Sequence, residues 1–265
     1  MSVTFTLLGT GTSTGVPLIA CDCAVCASTD PRDQRLRCSA MVRYADPAGR
    51  ERTILIDTSP DLRRQMLDHA VMEIDGVVYT HNHADHIFGL DDLRRFNESG
   101  AGPIDLYAEP EVIDWLRRTF AYIFDVRHNP NRSYVARLET CPIGPEQELG
   151  LFGLDWTPLR LLHGRIPILG FRIGRLAYCT DCSSIPPETW PHLQDLDVLV
   201  IDALRFRHHP THMTVDQALE VIEQVKPARA YLTHITHDAT HAEIDDYTPD
   251  HVHPAHDGLV LEVEC

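Results

Sequence analysis

"THNHADH", residues 80–86, closes the short apolar run "GVVY" with His81, His83, Asp85 and His86, four metal-capable side chains in six positions. Residues two apart on an extended chain point the same way. His81 and His83 therefore face one side, while Asp85 and His86 follow within the next turn. Neutral imidazole pairs and carboxylates in that arrangement suit two metal ions held side by side.

Other short runs end in the same way. "TILIDTSPD" (53–61) stops at Asp57, "LRLLHG" (159–164) at His163, "LAYCTD" (176–181) at Asp181, "VLVIDA" (198–203) at Asp202 and "ARAYLTHITH" (228–237) at His234. Each is a β-branched or aromatic stretch of strand length. Between them lie helix-like segments over 59–70, 91–97, 109–124 and 214–225, the last with Thr214 and Gln217 spaced as a capping box. Alternating strands and helices predict an α/β fold whose polar residues gather where strands leave a sheet. On that basis His81, His83 and His163 form one ligand set, Asp85, His86 and His234 a second, and Asp181 bridges the two. Asp57 and Asp202 are expected to orient ligand histidines, to cap helices or to shape turns.

The order H-x-H-x-D-H, followed at strand ends by His163, Asp181 and His234, resembles the metallo-β-lactamase superfamily. The resemblance implies an αββα sandwich of two mixed sheets flanked by helices, spanning the chain from "FTLLGTGTSTG" (5–15) to "DGLVLEVEC" (257–265) as a single domain over 1–265. It also implies a hydrolase in which two divalent ions, manganese or zinc, acidify a shared water. Asp85 and Asp181 carry that chemistry. In "THMTVDQAL" (211–219), His212 stands where phosphodiesterase branches of the superfamily have a His-x-Thr element, so the resemblance makes it the proton donor to the leaving oxygen or a phosphate ligand. A nearby helix start favours an anion.

"ACDCAVCAS" (20–28) places Cys21, Cys23 and Cys26 together, three soft ligands that lack a fourth. The chain resembles the phosphoribosyl 1,2-cyclic phosphate phosphodiesterases of the carbon-phosphorus lyase pathway, which pair a dinuclear site with a structural zinc. That resemblance supplies His237 as the fourth ligand. Cys179 and Cys182 in "CTDC" are read as ordinary thiols rather than a redox pair. "FGLDDLRRF" (88–96) offers Asp92 and Arg95 as substrate contacts, Arg95 for a second phosphate. The Gly/Thr turn "GTGTSTG" (9–15) is not a P-loop. In the least readable part, 104–140, a helix and loop are expected to pack Phe120, Tyr122 and Phe124 into the core.

Composition narrows the partners. The 39 acidic against 23 basic residues give a formal charge of -16, which disfavours a long nucleic acid. No apolar run reaches membrane length and the first residues do not read as an export signal, so the expectation is a cytoplasmic protein with thiols rather than disulfides. The expected substrate is a small phosphodiester, a cyclic ribose phosphate or nucleotide-like compound. The alternatives are a tRNase Z-like RNA 3′-processing endonuclease and a non-hydrolytic protein of PQQ biosynthesis. A homodimer is expected from the superfamily.

Overall fold

The computed structural model describes residues 1–98, 102–129 and 135–265. Among them, fourteen strands form two seven-stranded sheets. The first sheet contains β1 (Ser2–Gly9), β2 (Ser39–Ala45), β3 (Glu51–Ile56), β4 (Gly76–Val78), β5 (Ile104–Ala108), β6 (Leu138–Pro142) and, pairing with β1, β14 (Val260–Glu264). The second contains β7 (Leu149–Leu151), β8 (Leu154–His163), β9 (Ile166–Ile173), β10 (Leu176–Cys179), β11 (Val198–Asp202), β12 (Arg229–Thr233) and β13 (Val252–Pro254). Both are mixed. β1 to β3 pair antiparallel and β3 to β6 parallel; β8 to β10 pair antiparallel and β10 to β13 parallel.

The alternation in β1 puts Val3, Phe5 and Leu7 on the face turned to the second sheet, where they meet Trp156, Phe171, Tyr178 and Val200. Phe5 and Tyr178 lie 5.6 Å apart and Trp156 and Phe171 6.0 Å apart, ring centre to ring centre. Each large side chain buried there contributes on the order of 1.5–3 kcal/mol. The outer face of the first sheet is covered through Leu62, Met66, Val112 and Leu116, from the helices Leu62–Asp68 and Pro110–Thr119. The outer face of the second is covered by Val215, Ala218, Val221 and Ile222 of the helix Val215–Val225. The αββα layering expected from the sequence is therefore present.

Helix Val215–Val225 starts as its sequence predicts. Thr214 accepts from the Gln217 backbone, and Gln217 returns a bond to the Thr214 backbone, a reciprocal cap that contributes about 1 kcal/mol. The aromatic stretch behaves differently from expectation. Phe120 is buried and Phe124 half-buried, but Tyr122 turns outward and donates to Asp91, because the helical path breaks at Phe120 and restarts over Ala121–Phe124. Residues 130–134 of that stretch lie outside the described residues. Among the described residues no helix is long and apolar enough to cross a membrane.

Candidate metal centre and active site

The polar residues at the strand ends converge. Asp57 follows β3 by one residue, His81 follows β4 by three, His163 ends β8, Asp181 follows β10 by two, Asp202 ends β11 and His234 follows β12 by one. Asp57, Asp181 and His234 have left-handed backbones, with φ of 63°, 60° and 62°. L-residues adopt this region at some energetic cost, and such residues cluster at functional sites. Here the bend turns each side chain off its strand and towards its neighbours.

Asp85, His86, Asp181 and His234 present donor atoms that all lie within 4.8 Å of one another, every one of them buried. Asp181 sits among the rest. Its Oδ2 lies 2.5 Å from His86 Nε2 and 3.4 Å from His81 Nε2, and its Oδ1 lies 3.3 Å from His234 Nε2. His81, His83 and His163 close the other side, with ring centres 4.6 Å, 5.0 Å and 5.8 Å apart in pairs. Burial by itself would raise the Asp181 carboxyl, but His234 and His86 outweigh it and hold the group well below the usual carboxylate range.

The surrounding hydrogen bonds fix which imidazole nitrogen faces inward. His163 Nδ1 lies 2.8 Å from the Asp181 carbonyl oxygen, so that nitrogen carries the proton and Nε2 keeps its lone pair. His86 Nδ1 donates in the same way to Asp57, at 2.7 Å. Asp57, fully buried, also accepts from the Thr80 backbone and hydroxyl at 2.8 Å. Burial pushes the Asp57 carboxyl up against those contacts. Four buried polar atoms, His81 Nε2, His86 Nε2, His234 Nε2 and Asp181 Oδ2, have no hydrogen-bond partner, and all four belong to this cluster. Buried orphans of this kind need a compensating partner. Divalent cations fit them, as ligand type and convergence both require.

His212 stands beside this group. Its Nδ1 is 2.9 Å from Asp202 Oδ2 and 3.2 Å from Asp181 Oδ1, and its ring stacks on His234 at 4.7 Å. Asp202 is fully buried and pushed up by that burial, against the opposing effect of His212. The sequence reading allowed Asp202 to orient a metal-ligand histidine; in the structure it touches His212 instead.

The second thiol-rich site is equally defined. The sulfurs of Cys21, Cys23 and Cys26 lie 3.4, 3.3 and 3.5 Å from His237 Nδ1. A tetrahedral zinc with ordinary Zn–S and Zn–N bonds sets sulfur-to-nitrogen edges of about 3.5 Å. The four donors thus already stand at the corners of such a site. Hydrogen bonding from the Cys26 backbone and from His237 lowers the Cys23 thiol to about 6, while burial raises Cys26 to about 11.

A family model described as "Beta-lactamase superfamily domain" matches residues 52–235. A crystal structure described as a new diphosphatase from the PhnP family aligns with a TM-score of 0.90 at 43% identity, over 99% of this chain and 98% of that one. The chain belongs to the β-lactamase superfamily, in its PhnP family. This PhnP-family chain is also 40% identical, over 96% of its own length, to a protein of Porphyromonas gingivalis named octanoyltransferase. It spans only 50% of that relative, so the activity in the relative's name is not carried over. Zinc-bound PqqB from Methylobacterium extorquens shares the fold, with a TM-score of 0.74 at 21% identity over 98% of this chain and 99% of that one. Family, fold and donor set together are those of a metal-dependent hydrolase.

Two sequence candidates in the PhnP-family chain line a groove of their own. Asp92 and Arg95 line a surface groove with Arg63, Met66, Leu67 and Val71, a lining that contains none of the seven expected ligands. Arg95 is exposed and pairs with Glu98, because the turn Leu90–Leu93 and the helix Arg94–Asn97 direct both side chains outward. The Gly/Thr turn serves packing. A Cβ on Gly9 would sit 2.0 Å from the Arg37 carbonyl oxygen, and one on Gly11 2.6 Å from that of Arg35. Cys179 and Cys182 are buried, with burial pushing Cys179 up to about 12, which suits inert thiols.

Proposed function

We propose that this chain hydrolyses a small phosphodiester or diphosphate with two divalent ions, residues 1–265 acting as one domain. The observation that carries the reading is the position of His212 between buried Asp202 and the Asp181–His234 cluster. With Nδ1 committed to Asp202, a protonated His212 presents Nε2–H to a leaving oxygen, and the Asp202 carboxylate stabilises the imidazolium. His81, His83 and His163 would hold one ion, Asp85, His86 and His234 the other, with Asp181 between them. Bound there, two manganese or zinc ions supply an acidified water and offset the charge of the phosphoryl oxygens. Asp57 keeps His86 in the ligating tautomer, and Cys21, Cys23, Cys26 and His237 hold a structural zinc with no open position.

The similarity to a protein described as a diphosphatase supports this substrate class. A formal charge of -16 speaks against an RNA-processing role, which needs a surface that attracts a polyanion. The test is metal content followed by turnover of a ribose 1,2-cyclic phosphate, an aryl phosphodiester, a 2′,3′-cyclic nucleotide, a diphosphate ester and a tRNA precursor. Turnover of the small esters is expected. A fully metallated protein inert on all of them would overturn the reading in favour of a PqqB-like, non-hydrolytic role.

A further inference from the structure

The cysteine loop has a small apolar hold of its own: Val16, Val25 and Cys26 are buried together, with Leu18, Cys21 and Cys23 partly buried against them. Its other anchor is polar. Ser28, two residues after Cys26, donates to Asp33 Oδ2 at 2.6 Å. Asp33 Oδ1 accepts from Arg35 at 3.1 Å and from the His241 backbone N–H at 2.7 Å. The Arg35 guanidinium then reaches the turn after β12, where Nη1 donates to the Thr236 carbonyl at 2.7 Å and Nη2 to that of Ala239 at 3.4 Å. Those two residues flank His237, the fourth corner of the thiol site.

Both charges are out of solvent, with 0% of the Arg35 side chain and 2% of the Asp33 side chain exposed. A buried ion pair often adds no net stability over apolar side chains of the same size, and Arg35 Nε has no hydrogen-bond partner. What such a pair supplies is register, because a planar guanidinium donates in fixed directions and so sets how two segments meet. Here the segments stand 201 residues apart in sequence. Arg35 also exchanges both backbone hydrogen bonds with Val16 at 2.8 Å, just ahead of the cysteines. The start of the His237 turn is fixed by backbone bonds from Thr12 to Ile235 and from Ile235 to Thr10. Backbone and guanidinium of one residue thus grip the cysteine-bearing and the histidine-bearing segment at once.

We propose that Arg35, locked by Asp33, is the positioning residue of the thiol site: it holds the His237 turn against the cysteine loop, so that the four donors converge before an ion arrives. This rests on the structural-zinc reading above and names what makes that site bind tightly. An ion entering an assembled site does not have to order two distant segments, since folding has already met that entropic cost. Without Arg35 the ion itself must draw the segments together, at a loss of affinity.

Titrating the cobalt(II)-loaded full chain with a competing chelator tests it without turnover. Thiolate-to-cobalt charge-transfer absorption reports the thiol site alone, because none of the expected catalytic ligands carries sulfur. Arg35→Met keeps the bulk and removes the donors, and it should weaken metal binding there by roughly 10- to 100-fold, the usual cost of losing a partner behind the ligands. Arg35→Lys, which keeps the charge, should recover part of that loss. Ser28→Ala leaves the buried pair intact and should weaken binding in the same direction by less; it decides the matter if Arg35→Met does not fold. Thermal midpoints of the loaded and chelator-treated forms give a second readout. A merely stabilising Arg35 would lower both equally, whereas a positioning role narrows the gap between them. Wild-type affinity and an unchanged gap in the variants would overturn the proposal. A wild-type chain whose thiols take up no metal would instead sink the structural-zinc reading, and the role of Arg35 with it.

Discussion

His212 Nδ1 and Asp202 Oδ2 meet at 2.9 Å, with the carboxylate fully out of solvent. The buried charge has one purpose that the surrounding apolar strands do not serve: it holds one ring nitrogen so that the other is presented to the cluster. Asp202→Asn keeps the shape but loses the charge and inverts the donor arrangement. kcat is expected to fall by roughly 10²-fold, the lower end for loss of a positioned proton donor, with KM changed far less. Steady-state kinetics that separate kcat from KM check it; a KM raised as much as kcat falls would indicate a misplaced loop instead.

Asp181 touches His81, His86, His212 and His234, so its removal takes away the carboxylate that these four imidazoles share. Asp181→Ala should abolish turnover and lower metal content to the thiol-site complement, with circular dichroism unchanged. Retained activity at full metal loading would contradict its place between the ions.

Cys23→Ser removes one corner of the thiol site. Structural zinc in such sites contributes folding free energy directly. The variant should lose one zinc per chain and several degrees of thermal midpoint, yet keep most of its turnover well below that midpoint. Scanning calorimetry and elemental analysis decide it, and an unchanged midpoint would argue that the loop is held by other means.

His241 gives a pH dependence whose sign can be worked out. It is buried with Nδ1 unpartnered, and that burial lowers it from 6.5 to about 4. Between those values the unfolded chain binds a proton that the folded chain does not, so stability is expected to fall as pH drops from about 6.5 to about 4. His241→Leu should flatten this part of the profile. The difference between the two denaturation series isolates His241 from the acid sensitivity of the metal sites, and parallel curves would refute it.

The sequence made the centre legible because metal ligation demands particular side chains, and those stand out at the ends of apolar runs. Asp57, His163, Asp202 and His234 could all be located this way, since each stands within one residue of a strand's end. Helix Val215–Val225 was legible for the same reason, its cap being chemically explicit. His209 was not. It stands beside His212 in an irregular loop whose Thr211 packs on Gly164, and no apolar run leads to it. Tyr122 misled because an aromatic residue in a helical pattern suggests burial, whereas the break at Phe120 rotates it outward. Asp92 and Arg95 follow the ligand motif closely in sequence, but a turn intervenes and both line a groove with Arg63 and Met66.

The left-handed backbone at Asp57, Asp181 and His234 sets heat resistance against chemistry. Each such bend costs on the order of 1–3 kcal/mol, and glycine would accept it freely while deleting the donor the bend exists to aim. Directed selection for thermal tolerance alone should therefore drift first at these three positions, yielding a sturdier scaffold that no longer gathers cations. Durable catalysts of this architecture have to gain their tolerance elsewhere, in loops and caps remote from the strand exits.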